Sequence, residues 1–130
     1  MAVTLGQLVK NDICAVLKTR QAGSKIRYYD NTGSSPILLV ELILLYTGGW
    51  STPVNGVTIC IGWLPTAAVA TGSATTFQYS DSAGNSLITG LIGLPPVPNQ
   101  TAPLPDLIVS DTNIIQNQTV SLTSISFTVP

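Results

Sequence analysis

Residues 38–46 read LLVELILLY, an apolar strip interrupted by a single carboxylate, Glu41. No other stretch limits the fold as tightly. A membrane-spanning helix needs about 20 consecutive apolar residues, and turn formers bracket this run, Gly33-Ser34-Ser35-Pro36 before it and Gly48-Gly49 after it. The strip is too short to cross a bilayer. A short apolar run between turn signals instead predicts a strand buried on both faces, or on one face and against a partner on the other.

Such a strand needs sheet neighbours, and the chain beyond residue 23 supplies them. Residues 25–30 (KIRYYD) predict a short strand ending in the turn Asp30-Asn31-Thr32-Gly33. Residues 50–53 read as a loop. Residues 57–63 (VTICIGW) alternate, with Val57, Ile59, Ile61 and Trp63 on one face and Thr58, Cys60 and Gly62 on the other. Residues 75–79 and 86–91 flank Asp81-Ser82-Ala83-Gly84-Asn85, a hairpin with a glycine-containing loop. Further strands are expected at 107–110 and 120–129, with a turn around Gln116-Asn117-Gln118. In the last strand Val120 and Leu122 share one parity and Ile125, Phe127 and Val129 the other. A bulge near Thr123-Ser124, or passage from one sheet to another, reconciles the two sets. The pattern predicts an all-β protein, a β-sandwich or jelly-roll-like domain of roughly seven strands.

One segment departs from this pattern. In residues 4–20, Leu5, Leu8, Val9, Ile13, Val16 and Leu17 recur at three- and four-residue steps, which predicts a short N-terminal amphipathic helix. Thr4 and Gln7 have the spacing of a capping box, Lys18 and Arg20 suit the negative end of the helix dipole, and Gly23 can close the helix in a left-handed turn. Residues 1–23 form the helical arm and 24–130 the β-domain. The stripe can cover a sheet face or reach onto a neighbour.

Residues 93–106 hold five of the nine prolines: Pro95, Pro96, Pro98, Pro103 and Pro105. Structureless loops of this length are uncommon in compact domains. Proline density favours a stiff, extended conformation that loses little entropy on docking. An inert surface linker and an arm lying along an adjacent subunit both satisfy the composition.

Composition bounds the chemistry. A chain of 130 residues is one domain. Charged residues make up 8% of it and the net charge is −1, which leaves no basic surface for nucleic acid. Its polar surface must come largely from the 28 Ser and Thr residues, and so little charge repulsion keeps copies apart. Histidine, the commonest general base and metal ligand, is absent from the sequence. Of the six carboxylates, Asp30, Asp81, Asp106 and Asp111 sit in or beside expected turns, where Asp serves the backbone. The loop at Asp81 lacks the ligand series of a calcium site, and Gly48-Gly49 leads to Trp50 rather than to a phosphate-binding helix. No catalytic residue, cofactor or metal is expected. Cys14 and Cys60 read as two buried small apolar residues or as a disulfide. The first twenty residues lack the continuous apolar core of a secretory signal, which points to a cytoplasmic origin and to chance occurrence of the Asn-x-Thr triplets at Asn99 and Asn117.

Glu41 shares its face with Leu39 and Ile43, where an unpaired carboxylate is costly. A hairpin through residues 30–36 would bring Arg27 or Lys25 alongside it. Pairing of Glu41 with Arg27 is the expectation, and a solvent-facing Glu41 on an edge strand is the alternative. Trp63, Phe77 and Tyr79 have core-like parity. Trp50, placed in a loop, is the candidate exposed anchor.

Several segments carry a family likeness. After the helix, KIRYYDNTG followed by LLVEL resembles small virion proteins of tailed bacteriophages, in which an RIYDG-type strand precedes an LLAEL strand. ATGSATTFQYSDSAGN at residues 70–85 is similar to their ATGxA strand and DSxG turn, and the ending NIIQNQTVSLTSISFTVP is similar to their closing VSLTS strand and terminal proline. Asn117 stands where those proteins carry a glycine in the final hairpin, and Asn also tolerates a left-handed turn. The resemblance implies a non-enzymatic structural part of the particle, a capsid cement or decoration protein. Such a chain would self-associate as a homotrimer or homodimer and bind the major capsid protein on the outer surface of the head, without membrane or nucleic acid. Contacts are expected from Leu8 and Ile13 on the helix, from Trp50, and from Pro95, Pro96, Pro98, Pro103 and Pro105. A tail or head–tail connector component and a glycan-binding adhesin are the alternatives.

Overall fold

The computed structural model describes residues 6–19, 23–44, 50–95, 98, 106–122 and 124–128. Thr4, Leu5, Arg20, Pro96, Pro103, Pro105 and Val129 lie outside these, as does the glycine pair at 48–49. The described chain is mostly β with one helix. Helix α1 spans Gln7–Thr19. Eleven strands follow: β1 Lys25–Asp30, β2 Ile37–Ile43, β3 Val57–Ile61, β4 Thr66–Ala67, β5 Gly72–Ser73, β6 Thr76–Ser80, β7 Ser86–Gly93, β8 Leu107–Ile108, β9 Asn113–Ile114, β10 Thr119–Val120 and β11 Ser124–Thr128.

The largest sheet has five strands in the order β2-β1-β6-β7-β8. Its centre is built from two hairpins whose sequences alternate with period two. Ile26 and Tyr28 of β1, Val40 and Leu42 of β2, and Phe77 and Tyr79 of β6 face the core, while Lys25, Arg27, Tyr29, Glu41 and Gln78 line the open side. A bulge in β2 opposite Tyr28 and Tyr29 lets two consecutive residues, Leu39 and Val40, both be fully buried. β8 pairs with β7 in parallel. A parallel connection cannot be a tight turn, and this accounts for the length of the proline-rich segment that joins them.

Three further two-stranded ribbons, β4–β10, β3–β11 and β5–β9, complete the strands of the described residues. Trp50, Cys60, Trp63, Ala68, Ala74, Leu107 and Ile114 pack with Ile26, Leu39, Val40, Leu42 and Tyr79 in one core. Backbone bonds tie the segments after β3 and β4 to the edge strand β2: Val69 N–H donates to Leu39 C=O at 2.8 Å and Leu64 N–H to Ile43 C=O at 3.0 Å. The parity change near the C terminus is explained by partner exchange, since β10 pairs with β4 whereas β11 pairs with β3. Asn117 has a φ of 73°, in the left-handed region that its turn demands.

Three sequence expectations are corrected. The helix begins at Gln7, with Gly6 C=O accepting from Lys10 N–H at 3.1 Å, so Gly6 occupies the cap position. In β3 the inward residues are Thr58 and Cys60, and Ile59 and Ile61 face outward. Trp63 nevertheless reaches the core, because Gly62 takes a φ of 93° and reverses the alternation. The Thr58 hydroxyl is admitted to the core because it donates to Ser51 C=O at 2.7 Å. Finally, residues 50–53 are not a free loop. Val54 and Val57 bridge across Asn55-Gly56, whose φ values of 53° and 74° match a two-residue type I′ hairpin. That turn pairs Trp50 with Cys60.

Candidate interaction surface

The Asn55-Gly56 turn also decides how the helix sits. Gly56 N–H donates to the Asn11 Oδ1 at 2.8 Å, and Gly56 C=O accepts from the Cys14 thiol at 3.2 Å. A Cβ on Gly56 would lie 3.0 Å from the Lys10 Cβ, so only glycine lets the helix approach this closely. Among the described side chains of α1, Cys14 and Leu17 are buried. The flank carrying Lys10, Asn11, Cys14 and Leu17 is therefore the one fastened to the body. Most of the described apolar stripe points away: Leu8 is 76% exposed, and Val9, Ile13 and Val16 are also exposed, while Leu17 turns into the core. Exposed Leu8 and Ile13 suit their expected role as contact residues.

Trp50 does not suit its expected role. It is 1% exposed, and its indole N–H donates to the Tyr79 hydroxyl at 2.9 Å. Trp50 and Trp63 both meet Tyr79 edge-to-face, at centroid separations of 5.7 and 6.1 Å. Trp50 is thus a core residue, corrected by its pairing with Cys60. The signal was present in the sequence as Asn-Gly between Val54 and Val57, the strongest short hairpin mark. Of the prolines expected to make contacts, Pro95 and Pro98 are described, and both are exposed.

Glu41 lies directly opposite Arg27 in the β1–β2 ladder. Arg27 Nε donates to Glu41 Oε2 at 2.5 Å, and Lys25 Nζ stands 3.6 Å from Oε1. The bond from Arg27 holds the Glu41 carboxyl below its ordinary value of 4.5 despite some desolvation, and raises the Arg27 guanidinium in return.

Four of the other carboxylates, Asp30, Asp81, Asp106 and Asp111, accept bonds from backbone N–H groups, three of them within their own turns. Asp30 accepts from Thr32 N–H, the Thr32 hydroxyl and Ser73 N–H. These bonds, the hydroxyl's first, lower its pKa from 3.8. Asp81 accepts from Ala83 and Asn85 N–H, Asp106 from Leu91 N–H, and Asp111 from Asn113 N–H. Among the described residues no group of three or more His, Cys, Asp or Glu is placed to hold a metal. Cys14 and Cys60 are both buried and are not joined to each other by a disulfide. Burial pushes the Cys60 thiol and the Tyr28 phenol each up to about 12, so neither supplies an anionic nucleophile near neutrality. A cavity of about 620 Å³ between β6–β8 and β11 is lined by Trp50, Phe77, Tyr79, Leu107 and Ile125 among others. Its one carboxylate, Asp106, is already engaged by Leu91.

No helix among the described residues is long and apolar enough to cross a membrane. What the geometry offers is contact surface: an outward apolar helix stripe, exposed Ile59 and Ile61 on β3, and an open sheet face carrying the Arg27–Glu41 pair. The chain matches no model of a known protein family, no curated protein and no solved structure.

Proposed function

We propose that this chain is a non-enzymatic structural protein of a tailed-phage particle: a capsid cement or decoration protein, made in the host cytoplasm and seated on the outside of the head. There it bridges major capsid subunits and stabilises the shell. The observation that carries this reading is the orientation of α1. A helix that served only its own domain would turn its apolar stripe inward. Here Leu8, Val9, Ile13 and Val16 face outward, and clustered exposed apolar side chains mark interaction sites. The sequence resemblance to virion proteins and the nearly uncharged surface support the same reading.

In finer detail, we read the two layers as a jelly-roll-like β-sandwich that associates as a homodimer or homotrimer. Each contact contributes roughly 25 cal/mol per Å² of apolar surface buried, before association costs are subtracted. Repetition over a symmetric shell then multiplies modest affinities through effective concentration. The adhesin alternative loses its stacking platforms, since Trp50 and Trp63 are both buried.

The test is to image particles and count copies. Occupancy of the outer head surface in proportion to the major capsid protein is expected. Confinement to one vertex or to the tail would replace the cement role with a head–tail or tail role, and absence from particles would overturn both. Leu8→Ser combined with Val16→Ser should strip the chain from heads while moving its own stability by no more than about 0.5 kcal/mol, because both side chains are exposed.

A further inference from the structure

We propose that Asn55 is a site of spontaneous deamidation, that the seating of α1 sets its rate, and that the isoaspartyl product releases the helix. The inference does not depend on the assembly reading.

The reactive pair stands in the sequence. Of the seven asparagines, only Asn55 precedes a glycine. Deamidation begins when the backbone nitrogen of the following residue attacks the asparagine Cγ, and a side chain on that residue crowds the attack. Glycine has none. A bond forms from the Gly56 nitrogen to Asn55 Cγ, the Cγ–Nδ2 bond breaks, and the Gly56 amide proton leaves with the side-chain nitrogen as ammonia. Water then opens the cyclic imide at either carbonyl. Attack at Cγ restores the ordinary peptide and leaves aspartate. Attack at the main-chain carbonyl leaves isoaspartate, whose main chain runs through Cβ and Cγ. The sequence consumes water and releases ammonia, with no change of oxidation state.

The folded chain opposes the first step. Asn55 is exposed, so water reaches its amide, but Gly56 is buried. Gly56 N–H donates to Asn11 Oδ1 at 2.8 Å. A hydrogen bond made by the neutral amide disfavours loss of its proton, and the nitrogen cannot turn toward Asn55 while Asn11 holds the hydrogen. The turn is pinned on both sides, by Val54 N–H to Val57 C=O at 3.0 Å and by Val57 N–H to Val54 C=O at 2.9 Å. With Asn55 held at a φ of 53°, ring closure needs a rotation about its Cα–C bond that those bonds prevent. The attack therefore waits for an opening in which α1 lifts from the turn. Cys14 and Leu17 are the buried anchors described for α1, and elements with few buried apolar contacts open at less cost than the whole fold.

The two products differ in consequence. Aspartate keeps the main chain, and Asp-Gly suits the same two-residue turn. Isoaspartate adds a methylene to the main chain before Gly56, so the turn loses its register. Gly56 N–H and C=O are then carried away from Asn11 and Cys14, the two partners that fasten the helix. The covalent change thus acts on the element that presents Leu8, Val9, Ile13 and Val16 outward. Each opening of α1 exposes the turn to reaction, and the isoaspartyl product makes the opening permanent.

The experiment incubates the full chain in mildly alkaline buffer, folded and in urea, and follows residue 55 by peptide mapping with mass spectrometry. The folded chain should react at least about tenfold more slowly than the unfolded one, because it must open first. Asn11→Ala should speed the folded reaction about two- to tenfold, the worth of one hydrogen bond, and leave the reaction in urea unchanged. Glu41→Gln, which weakens the β1–β2 hairpin instead, should leave the folded rate unchanged, so local and global opening are told apart. Circular dichroism verifies that the variants fold, and Asn11→Ser serves if Asn11→Ala does not. The isoaspartyl form, separated by ion exchange and identified by enzymatic methylation, should lose amide-exchange protection in α1, whereas Asn55→Asp should keep it. Equal rates in the folded and unfolded chain, a folded rate that the Asn11 substitution does not move, equal acceleration by Glu41→Gln, or full protection of α1 in the isoaspartyl form would each overturn the proposal.

Discussion

Glu41→Gln removes the charge from the Lys25–Arg27–Glu41 cluster while keeping the side chain's shape. An opposite-charge pair directly across two strands contributes roughly 0.2–1 kcal/mol, and a hydrogen bond to a charged group about 1.5–3 kcal/mol. Solvent reduces both here, since the Arg27 and Glu41 side chains are 27% and 30% exposed. The Lys25 contact is longer, at 3.6 Å, and adds little. The amide oxygen introduced by the substitution would still accept a bond from Arg27, so the change should cost about 1 kcal/mol, or roughly 3–5 °C in melting temperature for a chain of this size.

A double-mutant cycle isolates the pair: Glu41→Gln, Arg27→Met and both together, melted near neutral pH at low and high salt. The coupling should fall in the range of about 0.5–1.5 kcal/mol and shrink as salt rises. The pH dependence has a definite sign. The carboxyl's folded pKa lies below its unfolded one, so its stabilisation is fully present above 4.5 and is lost as pH falls through the folded value. A coupling indistinguishable from zero at low salt, or wild-type and Glu41→Gln melting curves that keep a constant separation into acid, would refute the reasoning.

Gly56→Ala should destabilise by about 2 kcal/mol, because alanine is strained at a φ of 74° and its Cβ meets Lys10; amide exchange should show the loss of protection concentrated in α1. Trp50→Ala empties a fully buried site and removes the bond to Tyr79, at a cost of about 3–5 kcal/mol in urea unfolding followed by circular dichroism. Asp30, whose pKa is lowered by its bonds from Thr32 and Ser73, contributes stability present above 3.8 and lost as pH falls through its folded value. Asp30→Asn should therefore flatten the acid limb of the melting curve, and an unchanged limb would count against this assignment.

What was legible in the sequence was whatever local chemistry decides. The β1–β2 and β6–β7 hairpins follow from period-two patterning closed by turn residues, and the Glu41–Arg27 pair follows from the hairpin's register. The turn role of Asp30, Asp81 and Asp111 needs only residue type and neighbours, whereas Asp106 bonds to Leu91 of β7, fifteen residues away. Orientation was not legible. The periodicity of α1 marks an apolar stripe but not what covers it, and one hydrogen-bonded glycine turn fixed the opposite flank of the helix to the body. Trp50 was misplaced for a related reason, since its burial depends on pairing with Cys60 across a turn. β3 was ambiguous because both of its faces carry residues able to be buried. The two-residue strands β4, β5 and β9 are too short to show any period, and tertiary pairing alone defines them, whereas β8 falls within the strand expected at 107–110.

The enclosure of both indoles around Tyr79 also determines what light can report about this molecule. Trp50 is 1% and Trp63 6% exposed, so their emission should be blue-shifted and poorly quenched by iodide in the native state. Docking at the helix stripe or on the open sheet face would pass without optical trace, whereas opening of the core around Tyr79 would redden the spectrum at once. Intrinsic fluorescence is thus a gauge of core integrity in this protein, and a binding assay needs a dye placed on the outside.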